Sequence, residues 1–555
     1  MKTNSLIKKE ADLFFQSVST NDFYSFTRCD FKSGVLIDLS YEKALFDTGK
    51  AEDFVKRMQS IKEENLLSEY DELMIEAIED FCNYIVTNEK YYWYKFNITH
   101  NTCPIPYLIK GLSKFPINND SGLENYVRLL EQMASTMKFI REKLHLQREK
   151  GITIPQEECV ITEKMLKGFI QDPDNGDLSY VSKADNLILK DREYFEHRIN
   201  NAITRFNDEI KITIEYLKND YIKNVKSRPG LCNQPGGTEY YKALVKVFTS
   251  YELTPEEVHN IGLKNLEITK SKMQDIIKRL GFDLSIEEFN KLLNKDSQFF
   301  DKTKEDLGNR LTKHLELIRP LLKDYFYNQP LTDCEVRPIE AARESSTSWG
   351  YYAVPVGTDK NGVYYFSGGE LDTRCQIRAA AIVYHELLPG HHFQMNLIAE
   401  DESLPKICNS HFNTAFADGW AEYSADLANE MGLYTDYDLY GRYLWDLVLC
   451  TRLVVDTGLN ALGWTMDKAR DFMKQNTSLT GEEIFTESLR YAVDMPGQAL
   501  AYKMGSLKMQ ELRRKAETTL QERFDIKEYH EAVLKLGSIP LSILEKKINR
   551  FIACR

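Results

Sequence analysis

The chain has 555 residues, 71 of them basic and 84 acidic, for a formal net charge of −13. That acidic excess opposes nucleic acid or an anionic membrane as the main partner, and no run of about 18 apolar residues occurs that would cross a bilayer. With 43% apolar and 28% charged residues the composition is that of an ordinary globular chain, long enough to bury a large core and divide into lobes.

The N-terminus, MKTNSLIKKEADLFFQ, carries charges throughout and lacks the apolar stretch of a secretory signal. The 10 cysteines are scattered and none forms a CxxC pair. A cytoplasmic location is therefore expected, with the cysteines acting as small buried hydrophobes.

Residues 51–97 are charged and apolar-periodic, with Phe54, Met58 and Ile61, and then Met74, Ile78 and Phe81, at helical spacing. The aromatic run Tyr91 to Tyr94 is expected to pack between helices. Prolines and glycines break the pattern across 103–122, and a helix follows over 123–151, ending at Gly151. A long amphipathic helix is predicted over 186–225. Gly236-Gly237 reads as a plain turn, because no strand precedes it and no Lys-Ser/Thr follows. Thr254, Pro255 and Glu257 supply the N-cap, first residue and capping-box partner of a helix that Gly281 ends. A second capped helix starts near Ser285, and helices continue through 303–326.

The character changes at about 330. Aromatic and β-branched runs within 349–369 flank Asp359-Lys360-Asn361-Gly362, which predicts a β-hairpin. Such a strand beside a cleft can bind a substrate backbone, or serve structure alone. Beyond it, Asp418, Glu422 and Asp426 recur every four residues and share one helix face. Helices fill 436–463, 466–476 and 489–516.

The chemistry concentrates in 382-IVYHELLPGHHFQMN-396. Of the 10 histidines, His385, His391 and His392 fall here, and Glu386 follows the first. Zinc hydrolases need imidazoles, often a carboxylate, and a base beside the ion. In the usual helical motif the second histidine is four residues after the first, but here that position is Pro389. On an unbroken helix six residues turn about 600°, and seven advance about 10.5 Å, so neither His391 nor His392 would close on an ion with His385. Pro389 and Gly390 can break the helix and bring one of the two back.

The segment resembles the His-Glu-x-x-Pro-Gly-His-His signature of the bacterial DUF885 family, whose members are similar to helical, gluzincin-like zinc peptidases of the thimet oligopeptidase and angiotensin-converting enzyme type. Pro235-Gly236-Gly237 with Tyr240-Tyr241, the Thr-Pro-Glu-Glu helix, the aromatic hairpin, 418-DGWAEY-423 and 490-RYAVDMPGQALAYKMG-505 resemble further family blocks in the same order. The resemblance implies Zn2+ held by His385, His391 and Asp418, with Glu386 as the general base toward zinc-bound water. His392 and Glu422 are the alternative ligands. The family carries glutamate where this chain has Asp418, one methylene shorter, so the backbone compensates, Glu422 takes over one turn on, or binding weakens.

Tyr502 and Arg490 are expected as oxyanion and carboxylate partners, and Tyr491, Lys503 and Tyr364 as substrate contacts. The expected architecture is a mostly α, large multi-helical, two-lobed zinc-peptidase-like fold with a small hairpin or short sheet bordering the cleft. Its lobes would be 1–230 and 231–555, or one continuous domain. The expected activity is zinc-dependent hydrolysis of a peptide or related amide. The partner is a short peptide or an amino-acid-derived small molecule, in a monomer or homodimer. A metal-dependent biosynthetic enzyme, non-hydrolytic in one form, and an inactive helical binding protein are the alternatives.

Overall fold

The structure, a computed structural model, describes residues 4–19, 34–184, 191–225, 228–339, 349–355, 360–369, 371–410 and 413–555. The fold is mostly α-helical with one small open sheet. No described helix is long and apolar enough to cross a membrane.

Helix boundaries follow local chemistry. The periodic stretch at 51–97 divides into Tyr41–Glu64 and Glu69–Lys90, because Ser68 caps a new helix through a reciprocal capping box with Asp71. The next long helix, Asp120–Glu149, starts one turn earlier than its apolar pattern, at the Asn119 cap. The 186–225 prediction lies partly outside the described residues. Within them Arg192–Tyr216 is helical and runs into a wider π turn at Leu217–Tyr221. Thr254 and Glu257 form the expected capping box of Pro255–Arg279, and Ser285 caps Ile286–Leu293. Tyr91 and Tyr94 lie against Tyr240, ring centroids 4.7 and 5.0 Å apart, which accounts for the aromatic run as packing.

The sheet has the order β1 (Cys334–Pro338), β3 (Gly362–Phe366), β2 (Gly350–Ala353). β2 pairs antiparallel to β3, with Tyr352 opposite Tyr364, as the hairpin reading requires. Of its expected turn, Asp359 lies outside the described residues. β1, which the sequence pattern did not reveal, pairs parallel to β3 on the other side.

Six helices build the site: α1 (Ala379–Glu386), α2 (His391–Glu400), α3 (Thr414–Glu430), α4 (Asp436–Asn460), α5 (Gly481–Leu489) and α6 (Leu500–Leu520). α3 and α6 touch backbone to backbone. A Cβ on Gly505 would meet the Ala415 carbonyl oxygen at 2.0 Å, and one on Gly419 would meet Gly505 Cα at 2.6 Å. The two largest hydrophobic cores each join early and late parts of the chain. One unites Ile7, Met58 and Met74 with Phe393, Trp420 and Leu544. The other unites Leu130 and Phe206 with Val455 and Tyr491.

A buried polar tie spans the second core. His100 Nδ1 lies 3.0 Å from Glu158 Oε2 and 3.3 Å from Asp494 Oδ2, and the Asn101 amide donates to Asp494 at 2.6 Å. Burial, reinforced by Glu158, pushes the Asp494 carboxyl up to about 7. His100 is also raised. Burial opposes that shift, but the two carboxylates outweigh it.

Two measurements test these features. Gly505→Ala should lower stability by about 1–3 kcal/mol through overpacking, read by urea or thermal denaturation. Gly49→Ala, on a helix with open space around it, should leave stability unchanged or slightly raised. For the tie, both groups bind protons more tightly folded than unfolded. The Asp494 contribution is present at low pH and lost as pH rises through about 7, and that of His100 changes in the same direction. The melting temperature should therefore fall between pH 5.5 and 8, and Asp494→Asn should flatten that decline. An equally steep decline in the variant would assign it to other groups.

Candidate metal centre

The histidine segment is two helices with a break between them. α1 ends at Glu386 and α2 begins at His391. Leu387 leaves helical geometry at φ −110°, ψ −95°, and Gly390 enters α2 at φ −73°, ψ −132°. A Cβ on Gly390 would meet the His385 carbonyl oxygen at 1.8 Å, so only glycine permits this return of the chain. The break is fastened to α3, where Trp420 Nε1 donates to the Pro389 carbonyl at 2.8 Å and Ser424 Oγ donates to it at 3.2 Å.

His391 thereby comes back to His385, with ring centroids 4.8 Å apart and planes at 88°. Asp418 Oδ1 on α3 lies 3.4 Å from His391 Nε2. Among the described residues, two groups bring histidine and carboxylate ligand atoms within 4.8 Å of one another: His385, His391 and Asp418, and the His100, Glu158 and Asp494 tie. The first group lines a cavity of about 320 Å³ together with Glu386, Tyr364, Arg490 and Tyr502. No member of the second lines it.

The remaining candidates separate by their partners. His392 turns the other way. Its Nε2 donates to the Thr332 carbonyl at 3.0 Å, and Nδ1 accepts from Tyr352 Oη at 3.0 Å and from Asn396 at 3.1 Å. Burial pushes its imidazole down to about 4. Both ring nitrogens are thus engaged outside the cavity, which removes His392 as an alternative ligand in this arrangement.

Glu422 stands behind His385, with Oε1 3.1 Å from Nδ1, and so leaves Nε2 as the nitrogen for another partner. Trp445 Nε1 donates to Glu422 Oε1 at 2.8 Å, and Arg442 pairs with Oε2 at 2.9 Å. Burial alone would raise the Glu422 carboxyl, but Arg442 and His385 hold it down at about 2. Burial alone would depress His385, but Glu422, Glu386 and Asp418 hold it up at about 9. The third acid of the face, Asp426, takes Arg442 Nε at 3.0 Å.

Arg490 reaches the cavity, held by Glu487 at 3.2 Å and Gln498 at 2.6 Å, and Tyr502 is 3.4 Å from the Gln498 amide. Two expected substrate contacts sit elsewhere. Lys503 is buried against Asp446 at 2.6 Å, away from the cavity. The Tyr491 hydroxyl is committed to Glu487 and to Arg452, which donates at 3.1 Å. Both are corrected to packing roles by these partners.

Sequence reasoning missed Arg378, Arg442, Trp445, Arg452 and Glu487. For Arg442, Trp445 and Arg452 the available signal was a cationic or indole side chain within the largely apolar helix 436–460, where burial demands a partner; Arg378 and Glu487 had no such signal.

The solved structures that resemble the chain over nearly its whole length include two bacterial proteins. One is a candidate lipoprotein from Colwellia psychrerythraea, 22% identical, with a TM-score of 0.87, covering 99% of this chain and 100% of that one. The other is a candidate lipoprotein of unknown function from Shewanella oneidensis, 17% identical, with a TM-score of 0.73, covering 97% and 99%. At such identities the likeness establishes the fold. The expected cytoplasmic location is corrected by the same finding, because both structural relatives carry a lipoprotein description that a cytoplasmic reading does not accommodate. No curated protein matches the chain. The model of the family described as bacterial protein of unknown function (DUF885) matches residues 27–548, and the chain belongs to that family.

Proposed function

We propose that the chain is a zinc-dependent hydrolase of peptide or related amide bonds, with a two-lobed fold of the helical zinc-peptidase kind. The observation that carries this reading is the convergence of His385, His391 and Asp418 in a cavity that Glu386 also lines. Two imidazoles and a carboxylate are a donor set suited to zinc, with a position left open. Glu422 supplies the outer support: a carboxylate on the far nitrogen of a ligating histidine fixes its ring and tautomer. Binding requires His385 to release a proton, which zinc binding commonly does.

When bound, zinc supplies Lewis acidity toward a carbonyl and toward water. The protein supplies the rest. Glu386, next to His385 and facing the cavity, accepts a proton from water and returns it to the departing amine. Tyr502 offers a hydroxyl to the oxygen on which negative charge develops. Glu487 and Gln498 hold Arg490 in one orientation at the cavity wall. The substrate is a short peptide or an amino-acid-derived amide, in keeping with the cavity's modest volume.

The test is zinc content after reconstitution of untagged full-length protein, measured beside hydrolysis of a mixed peptide library. His385→Ala, His391→Ala and Asp418→Ala should each lose the zinc bound at this centre, whereas His392→Ala should keep it if folded. Glu386→Gln should retain zinc and lose about 10²–10⁴-fold in hydrolysis. Failure of the wild type to take up zinc would sink the reading.

A further inference from the structure

Among the described residues the cavity is lined by three arginines, and two of them share one carboxylate. Arg452 pairs with Glu487 at 3.0 Å and Arg490 with the same carboxylate at 3.2 Å. Arg378 differs. It is only 8% exposed and lines the cavity, yet among the described residues no carboxylate forms an ion pair with it. The acid whose charge acts on it most is Glu483, which instead accepts from Trp349 Nε1 at 2.9 Å. The Arg378 guanidinium lies 3.8 Å from the centroid of the Trp349 ring and 5.6 Å from that of Trp445. Burial in that setting, with Glu483 only partly opposing it, pulls Arg378 below its ordinary value.

An arginine keeps its charge in proteins, and a buried charge is costly unless paired. Indole faces recover part of that cost by cation–π attraction. They leave the edge of the guanidinium, with its fork of N–H donors, suited to bidentate capture of a carboxylate.

We infer that Arg378, framed by Trp349 and Trp445, is a subsite for a substrate carboxylate, and that the preferred substrate is a short peptide with a free C-terminal carboxylate. This rests on the hydrolase reading above. The helix α1 provides a ruler. Arg378, Ile382 and His385 occur at i, i+4 and i+7, and all three line the cavity. Seven residues of helix span about 10.5 Å. An extended peptide covers that distance in about three residues. The carboxylate subsite therefore favours cleavage two or three residues from the C-terminus.

The test measures binding apart from turnover. Zinc-loaded Glu386→Gln protein is titrated with acetyl-tetra-alanine as the free acid and as the C-terminal amide, following tryptophan fluorescence. The free acid should bind about ten-fold or more tightly, and 0.2 M salt should leave most of that preference because the site is buried. Adding Arg378→Met should abolish the preference, and Arg378→Lys should retain only part of it. Equal binding of acid and amide to the parent protein would overturn the subsite. So would a preference that survives in Arg378→Met or is undiminished in Arg378→Lys, with circular dichroism confirming each fold.

The two readings fail separately. Wild-type protein that cleaves acid and amide equally well removes the subsite and leaves the hydrolase. A ten-fold binding preference in a protein that cleaves nothing keeps the subsite and removes the hydrolase.

Discussion

Trp420 and Ser424 both donate to the carbonyl of Pro389, and the site's geometry depends on that one acceptor. A helix interrupted at Leu387 leaves backbone groups without intrahelical partners, and buried ones must be satisfied elsewhere. Here the partners come from α3, the helix that also carries Asp418. The contact that pays the polar debt of the break therefore fixes the distance from the two histidines to the carboxylate. Gly390 sets the other half of the constraint, because its approach to the His385 carbonyl admits no side chain. α3 is held in turn from behind, where Gly419 and Ala415 meet Gly505 on α6. Small residues at both contacts let α1 meet α2, and α3 meet α6, where a Cβ would collide.

Charge is distributed on this frame by rank along one helix face. Asp418 faces His391, Glu422 faces His385, and Asp426 faces Arg442. Arg442 joins the second and third, and Trp445 donates to the same Glu422 oxygen that faces His385. Removing one member of such a network strands a buried charge, which costs far more than the net worth of the pair. The network thus keeps a charged carboxylate 3.1 Å from His385 Nδ1, the kind of support that a preorganised site needs.

Much of the outline was legible in the sequence. Ser68, Thr254 and Ser285 announce helices because their side chains satisfy the first free N–H groups. The aromatic and β-branched runs on both sides of Asn361-Gly362 announce β2 and β3, with Gly362 the first residue of β3. At the site, Pro389 and Gly390 point to a break, since proline lacks the donor that a continuing helix needs. The choice between His391 and His392 was not legible from spacing alone. It depends on Thr332, Tyr352 and Asn396 engaging His392 from other elements. For the same reason Lys503 and Tyr491 were misplaced: neighbours in sequence to cavity residues, they turn toward Asp446 and Glu487 instead. β1 escaped notice because a five-residue strand with proline and charge at one end has no pattern of its own. The cytoplasmic expectation drawn from the N-terminal stretch is overturned by the lipoprotein description of both structural relatives.

The geometry also bears on the substitution that the sequence raised at Asp418. A glutamate would reach one methylene farther, and the shorter acid might be thought to fall short of an ion held by two histidines. The relevant length is the distance between ligand atoms. For tetrahedral zinc with bonds of about 2.0–2.1 Å, two ligands of one ion lie about 3.3 Å apart. Asp418 Oδ1 and His391 Nε2 are 3.4 Å apart. The aspartate already stands at ligand spacing, and it does so because α3 is drawn in by the Pro389 carbonyl on one side and seated against Gly505 on the other. For the ligand role proposed above, the acid's length suits the depth of its helix, and Glu422 one turn on stands beside His385.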